Sequence, residues 1–108
     1  MKIQWYSEAV EDLNQIYEYY VTKNARAAAM LYNGILDEIE ILQKFPHSAP
    51  IEPLLKDLSE EYRSLSVAKG KYKIIYYIEQ ENVFIVLVFG CWQNPRKLTL
   101  TTKKRRDN

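Results

Sequence analysis

The sequence predicts an α+β fold: a short N-terminal strand, then an antiparallel helix hairpin packed on one face of a small, mainly antiparallel sheet, in the order β-α-α-β-β-β. Three observations predict it. Apolar residues recur at three- and four-residue steps as far as Phe45, the period changes to two from Tyr62, and a stretch containing Pro46, Pro50 and Pro53 lies between.

Lys2 to Trp5 alternate polar and apolar, with Ile3 and Trp5 on one side, as a short strand does. Ser7 is placed to cap a helix, and Glu8, Glu11 and Asp12 sit in its opening turns, where carboxylates meet the positive end of the dipole. Ala9, Leu13, Ile16, Tyr17 and Tyr20 form one apolar stripe, so this helix should run to about Thr22. Lys23 and Asn24 interrupt it, and Asn24 suits the cap of the next helix. That helix carries Ala27, Ala28, Leu31, Ile35, Ile39, Leu42 and Phe45 at helical spacing, and Pro46 ends it. The tight link makes the two helices an antiparallel hairpin, with alanines permitting close approach.

From Pro46 to about Asp57 the prolines indicate an ordered crossover loop. Tyr62–Val67, Lys71–Glu79 and Val83–Cys91 are then rich in Tyr, Ile, Val and Phe, with hairpin-length joins at Ala68–Gly70 and Gln80–Asn82. They make an antiparallel meander. The last strand is apolar on both faces, so it should lie centrally and be covered on both sides, at least partly. No further element is predicted to cover the second face of the sheet, so that face should be open. One domain is expected over residues 1–98, followed by a basic tail over residues 99–108.

The net charge of +1 conceals an asymmetry. Residues 7–61 hold eleven acids against Lys23, Arg26, Lys44 and Lys56, whereas residues 62–78 carry Arg63, Lys69, Lys71 and Lys73 with no acid. Residues 93–108 add Arg96, Lys97, Lys103, Lys104, Arg105 and Arg106 against Asp107 alone. A basic face suits phosphate or an acidic partner peptide, and the alternative is solubilising helices with a frayed tail. Cys91 is the single cysteine, which excludes an intramolecular disulfide. No apolar run is long enough to span a bilayer, so a soluble, cytoplasmic protein with no membrane association is expected. His47 stands alone in the proline loop, without neighbours at ligand spacing, so neither a metal nor a cofactor is expected. There is no glycine-rich phosphate loop and no histidine placed for a serine triad.

Three segments, W-Y-S-E-A-V-E-D-L-N-Q-I-Y-E-Y, Y-R-S-L-S-V followed by Y-K-I-I-Y-Y-I, and V-F-G-C-W-Q-N-P-R-K-L, together resemble the RelE/ParE toxin superfamily. These are toxins of type II toxin–antitoxin, or plasmid-stabilisation, systems. The resemblance spans roughly residues 1–98 and implies the same helix hairpin on an antiparallel sheet. RelE-like members are ribonucleases that cut messenger RNA in the ribosomal A site, and ParE-like members poison DNA gyrase without nuclease chemistry. Both are silenced by a cognate antitoxin whose segments wrap the toxin, and a heterotetramer with the antitoxin is one expected assembly.

Metal-independent RNA cleavage needs a base, an acid and cations that converge on the phosphate. Arg63 resembles the family's second-strand arginine and could clamp phosphate bidentately; alternatively its stem packs beside Leu65 while its head pairs with an acid. Arg96 and Tyr72 complete the candidate catalytic set, with Tyr76 and Tyr77 as alternative phenols. Lys69, Lys71, Lys73 and Lys97 are candidate phosphate or target contacts. Trp92 stands where similar sequences carry arginine in C-R-Q-N-P, and Gly90 where they carry an acid or histidine. Both departures count against nuclease chemistry, and Trp92 could instead stack on a base, anchor a partner or pack in the core. Three readings stay open: a ribosome-dependent endoribonuclease that inhibits translation, a non-enzymatic gyrase inhibitor, and a detoxified module that only binds antitoxin. In each, an antitoxin segment could add to an exposed sheet edge or bury the helix groove.

Overall fold

The computed structural model describes residues 1–107. Its elements are β1 (Lys2–Trp5), α1 (Ser7–Val21), α2 (Ala25–Ile39), a short α3 (Ile41–Lys44), β2 (Arg63–Val67), β3 (Tyr72–Glu79), β4 (Asn82–Gly90) and α4 (Pro95–Asp107), with one 3-10 turn at Pro53–Leu55. The sheet order is β1-β4-β3-β2, with β1 parallel to β4 and the other pairs antiparallel. The predicted hairpin and meander are both present. β4 lies centrally, as its two apolar faces require.

Local chemistry sets the boundaries. Tyr6 is pinned by its own N–H to the Ile85 carbonyl (2.9 Å), so α1 starts directly after it. Ser7 is therefore the first helical residue and not the cap; its hydroxyl donates to Glu8 instead (3.2 Å). Asn24 caps α2 as expected, its side-chain oxygen accepting from the Ala27 N–H (3.0 Å). The second helix is not continuous to Phe45. At Glu40 the N–H turns to the Asp37 carbonyl (3.3 Å), and α3 begins after this tightened turn, keeping both Ile39 and Leu42 buried.

The sheet carries a core on each face. On one side Ile74, Tyr76, Val83, Ile85 and Val88 meet Ala9, Leu13, Ile35 and Ile39 of the hairpin. On the other, Ile75, Tyr77, Val86, Leu87 and Phe89 meet Leu55, Tyr62 and Leu98. The β3–β4 register shifts between Ile75 and Tyr76, which leaves Val86 bulged and turns both Val86 and Leu87 toward this second core.

The second face is thus covered, contrary to the expectation of an open one. Residues 99–107, expected as a tail, continue a helix that begins at Pro95 and buries Leu98 and Thr102. The helix crosses the boundary placed after residue 98. Pro95 occupies its first position, and the Asn94 side chain accepts from the Arg96 N–H (3.0 Å). An apolar strand such as β4 must be covered on both sides, and α4 is the element that does it.

One buried charge pair anchors the crossover to the sheet. Glu52, 1% exposed, accepts from Lys73 (2.9 Å) and from the Leu54 N–H (3.1 Å). Burial alone would raise the Glu52 pKa, but the Lys73 hydrogen bond, the Leu54 amide and the Lys73 charge outweigh it and hold the carboxyl below its ordinary 4.5. A depressed carboxyl pKa stabilises the fold fully above 4.5, and that stabilisation is lost as pH falls through the folded value. Below pH 4.5 the melting temperature should therefore fall more steeply for the native chain than for Glu52→Gln. Parallel slopes in differential scanning calorimetry would remove this linkage.

Candidate functional site

The structure disperses the cationic residues singled out in the sequence. Arg63 shares its face of β2 with Leu65 and Val67, the helix-hairpin side. Its guanidinium donates to the carbonyls of Ala49 (2.7 Å) and His47 (3.3 Å) and to Glu61 (3.3 Å), tying the start of the crossover to the sheet. Lys73 lies on the opposite face, paired with Glu52. Lys69 sits exposed in the β2–β3 turn at φ +57°, and exposed Lys71 uses its carbonyl to hold the Cys91 N–H (2.9 Å). Arg96 and Lys97 are exposed in the first turn of α4.

The tyrosines are engaged in packing. Tyr72 is 2% exposed, and burial, followed by its hydrogen bond with Tyr20, pushes its phenol well above the ordinary value, so it stays protonated at neutral pH. Tyr76 donates to the Pro46 carbonyl (2.6 Å) from within the hairpin core. Tyr77 occupies the second core, where its hydroxyl meets that of Tyr6 (2.7 Å) and its ring underlies the Arg106 guanidinium at 5.2 Å.

Gly90 and Trp92, two separate departures in the sequence, are one contact in space. The indole lies over Gly90 and packs edge-on against Tyr72, with ring centroids 5.2 Å apart, while Trp92 remains 69% exposed. A Cβ at position 90 would lie 2.5 Å from the indole, so only glycine lets it rest there. Gly90→Ala should lift the ring off Tyr72 and shift Trp92 emission to the red, measured in a Trp5→Phe background. An unchanged spectrum would mean that the ring does not depend on Gly90.

Trp92 stands at one end of a cleft of about 810 Å³ between α1 and α4. The cleft arises because β1 ends at Trp5, so the edge of β4 beyond Ile85 has no strand beside it. Side chains supply the missing partners. Asp12 of α1 accepts the Val88 N–H (3.0 Å), and Arg105 of α4 donates to the Val86 carbonyl (2.9 Å). The two then bind each other bidentately (2.7 and 2.9 Å), linking both helices to the strand edge. Arg106 pairs with Glu60 alongside.

Along the α1 wall, Glu8 and Glu11 line the cleft near Asp12, and Tyr19 and Tyr20 line it near Trp92. Lys97 and Thr101 line the α4 wall. Of the residues singled out earlier, the cleft gathers Gly90, Trp92, Tyr72 and Lys97 and leaves Arg63, Lys69, Lys71, Lys73 and Arg96 outside. Sequence reasoning missed Asp12, Arg105 and the cleft itself. The spacing of Glu8, Asp12, Gln15 and Tyr19 on α1, and of Lys97, Thr101 and Arg105 on α4, was the signal available. Among the described residues no group of three His, Cys, Asp or Glu side chains is placed to hold a metal, and no helix is long and apolar enough to cross a membrane.

A family model described as "ParE toxin of type II toxin-antitoxin system, parDE" matches residues 3–92. The chain belongs to the ParE toxin family. It thereby falls within the RelE/ParE superfamily that the three segments resemble, and an antitoxin is the partner that membership implies. Among solved structures, a chain of the "Chromosomal ParDE TA system from P. aeruginosa" superposes with a TM-score of 0.70 at 19% identity, covering 83% of this chain and 95% of that one. At that identity the likeness is one of fold. No curated protein matches the sequence. Helix α4 lies beyond the stretch matched by the ParE family model.

Proposed function

We propose that this ParE-family toxin acts by binding DNA gyrase and not by cutting messenger RNA. The observation that carries this reading is the dispersal of the groups that RNA cleavage would need in one place. Arg63 spends its guanidinium on two carbonyls and Glu61, on the face opposite Lys73. Tyr72 is buried with a raised pKa. Transfer of a 2′-hydroxyl proton with stabilisation of a charged phosphorane requires convergent donors and acceptors, whereas inhibition by binding requires only a complementary surface. Exposed Trp92, which lines the cleft together with Lys97 of α4, offers such a surface. The toxin works in the cytoplasm and is silenced as a complex with its antitoxin, of which a heterotetramer is the proposed form.

Primer extension on cellular messenger RNA during expression of the toxin alone tests the reading. Growth should stop without new 5′ ends at ribosomal A-site positions. A-site cuts that appear with the arrest and vanish in Arg63→Ala would favour the ribonuclease reading instead.

A further inference from the structure

We propose that the solvent face of α4 binds the phosphate backbone of duplex DNA through Arg96, Lys97, Lys103 and Lys104, without regard to base sequence. This goes beyond the gyrase reading by adding a direct contact with nucleic acid, which can be measured with no gyrase present.

The face is what remains of α4 once its inner contacts are assigned. Pro95–Asp107 holds six bases and one acid. Leu98 and Thr102 are buried, and Arg105 and Arg106 are paired with Asp12 and Glu60. At 3.6 residues per turn, positions 96, 97, 103 and 104 fall together on the side turned away from Leu98 and Thr102. All four are exposed, and none forms an ion pair among the described residues. Glu8 and Glu11, which line the cleft with Lys97, form none with it.

Helix chemistry gives half of this stripe no reason to exist. Lys103 and Lys104 suit the negative end of the dipole, but Arg96 and Lys97 stand in the first turn, where the positive end disfavours cations. Four like charges on one face also repel one another. Where a sequence breaks local rules with no compensating contact inside the chain, a functional surface is the expected cause. Uncompensated cations in a row are complementary to phosphate, whose contact releases condensed counterions.

The spacing favours a duplex. The pair Arg96 and Lys97 precedes the pair Lys103 and Lys104 by seven residues, a rise of about 10 Å along the helix. The major groove of B-DNA is about 12 Å wide, so a helix laid across its mouth sets one pair of cations toward each strand. A single strand offers one backbone only, and the major groove of an A-form RNA helix is narrow and deep.

Fluorescence anisotropy of a labelled DNA duplex, titrated with the purified toxin at several salt concentrations, tests the contact. The logarithm of the binding constant should fall linearly with the logarithm of salt concentration with a slope of about −3.6, or about −0.9 for each of four neutralised phosphates. Lys103→Ala/Lys104→Ala should halve that slope. Arg96→Glu/Lys97→Glu should lower the affinity roughly tenfold or more, with no fall in melting temperature, since acids suit the first turn. Lys44→Ala, in the acidic half of the chain, should leave both slope and affinity unchanged. Absence of binding at low salt, or a slope that all variants share, would overturn the inference. Tighter binding of single-stranded RNA than of the duplex would overturn it as well. Because gyrase is absent from the titration, each of these results leaves the supercoiling reading to its own assay.

Discussion

Truncation after Asn94, which removes α4, should abolish cooperative unfolding and leave a protein that aggregates at micromolar concentration. Among the described residues, the only other helical element packed on the second core is the 3-10 turn at Pro53–Leu55. Without α4, Leu98 is lost and Tyr77, Val86, Leu87 and Phe89 keep only the part of their cover that Leu55 and Tyr62 give. Each fully buried side chain of this size is worth about 1.5–3 kcal/mol, and exposing even part of several removes much of the roughly 5–15 kcal/mol that keeps a small domain folded. The truncation also deletes the partners of Asp12 and Glu60, leaving two partly buried carboxylates unpaired. Calorimetry and light scattering read the outcome. A truncated chain that stays monomeric and melts within a few degrees of the full one would show that the sheet does not need its second cover.

Breaking the Asp12–Arg105 pair should be the most damaging pair of single substitutions on the surface of the cleft. Asp12 and Arg105 side chains are 17% and 15% exposed, so solvent screens them only in part. Asp12→Ala strands the Arg105 guanidinium and the Val88 N–H together, and Arg105→Ala strands Asp12 and the Val86 carbonyl. Removing one partner of a largely buried pair costs about 2–4 kcal/mol once partial exposure is allowed for. At roughly 4–8 °C per kcal/mol for a domain of this size, the melting temperature should fall by more than about 8 °C in either variant. The double variant should be little worse than the worse single one, because the two side chains act as a unit. Additive losses in a double-mutant cycle would mean that each side chain works alone.

The helix hairpin and the meander were legible because their apolar periods are long and unbroken, as in Ala9 to Tyr20 and in the run Val83 to Phe89. Helix α4 was hidden by its composition. Pro95 to Asp107 holds only Leu98 and Leu100 among six bases, and burying a single leucine with a threonine leaves almost no stripe to detect. Asn94–Pro95 was the usable sign, a cap followed by a proline at the first helical position. A second sign was the two-faced apolarity of β4, which already demanded a cover on each side. The break at Glu40 left little trace, since the β-branched Ile39 and Ile41 beside it lower helix propensity only slightly.

The candidate site was legible only in fragments. Arg63 carries the right residue type at the right strand position, but the carbonyls of His47 and Ala49 that occupy it belong to a loop whose path no periodicity describes. Gly90 and Trp92 were each visible as departures, and the physical link between them is a contact of the indole with a bare Cα. Asp12 and Arg105 are far apart in sequence and meet only because β1 stops at Trp5 and leaves an edge for them to satisfy. Pairing of that kind follows from topology and not from pattern.

The central claim, a toxin that works by binding gyrase, is tested most directly by adding the purified protein to DNA gyrase and relaxed plasmid with ATP. Supercoiling should fall with toxin concentration, cleaved plasmid should accumulate, and Trp92→Ala should weaken both effects. Undiminished supercoiling at a toxin excess over gyrase, by a preparation that arrests growth in cells, would contradict the account.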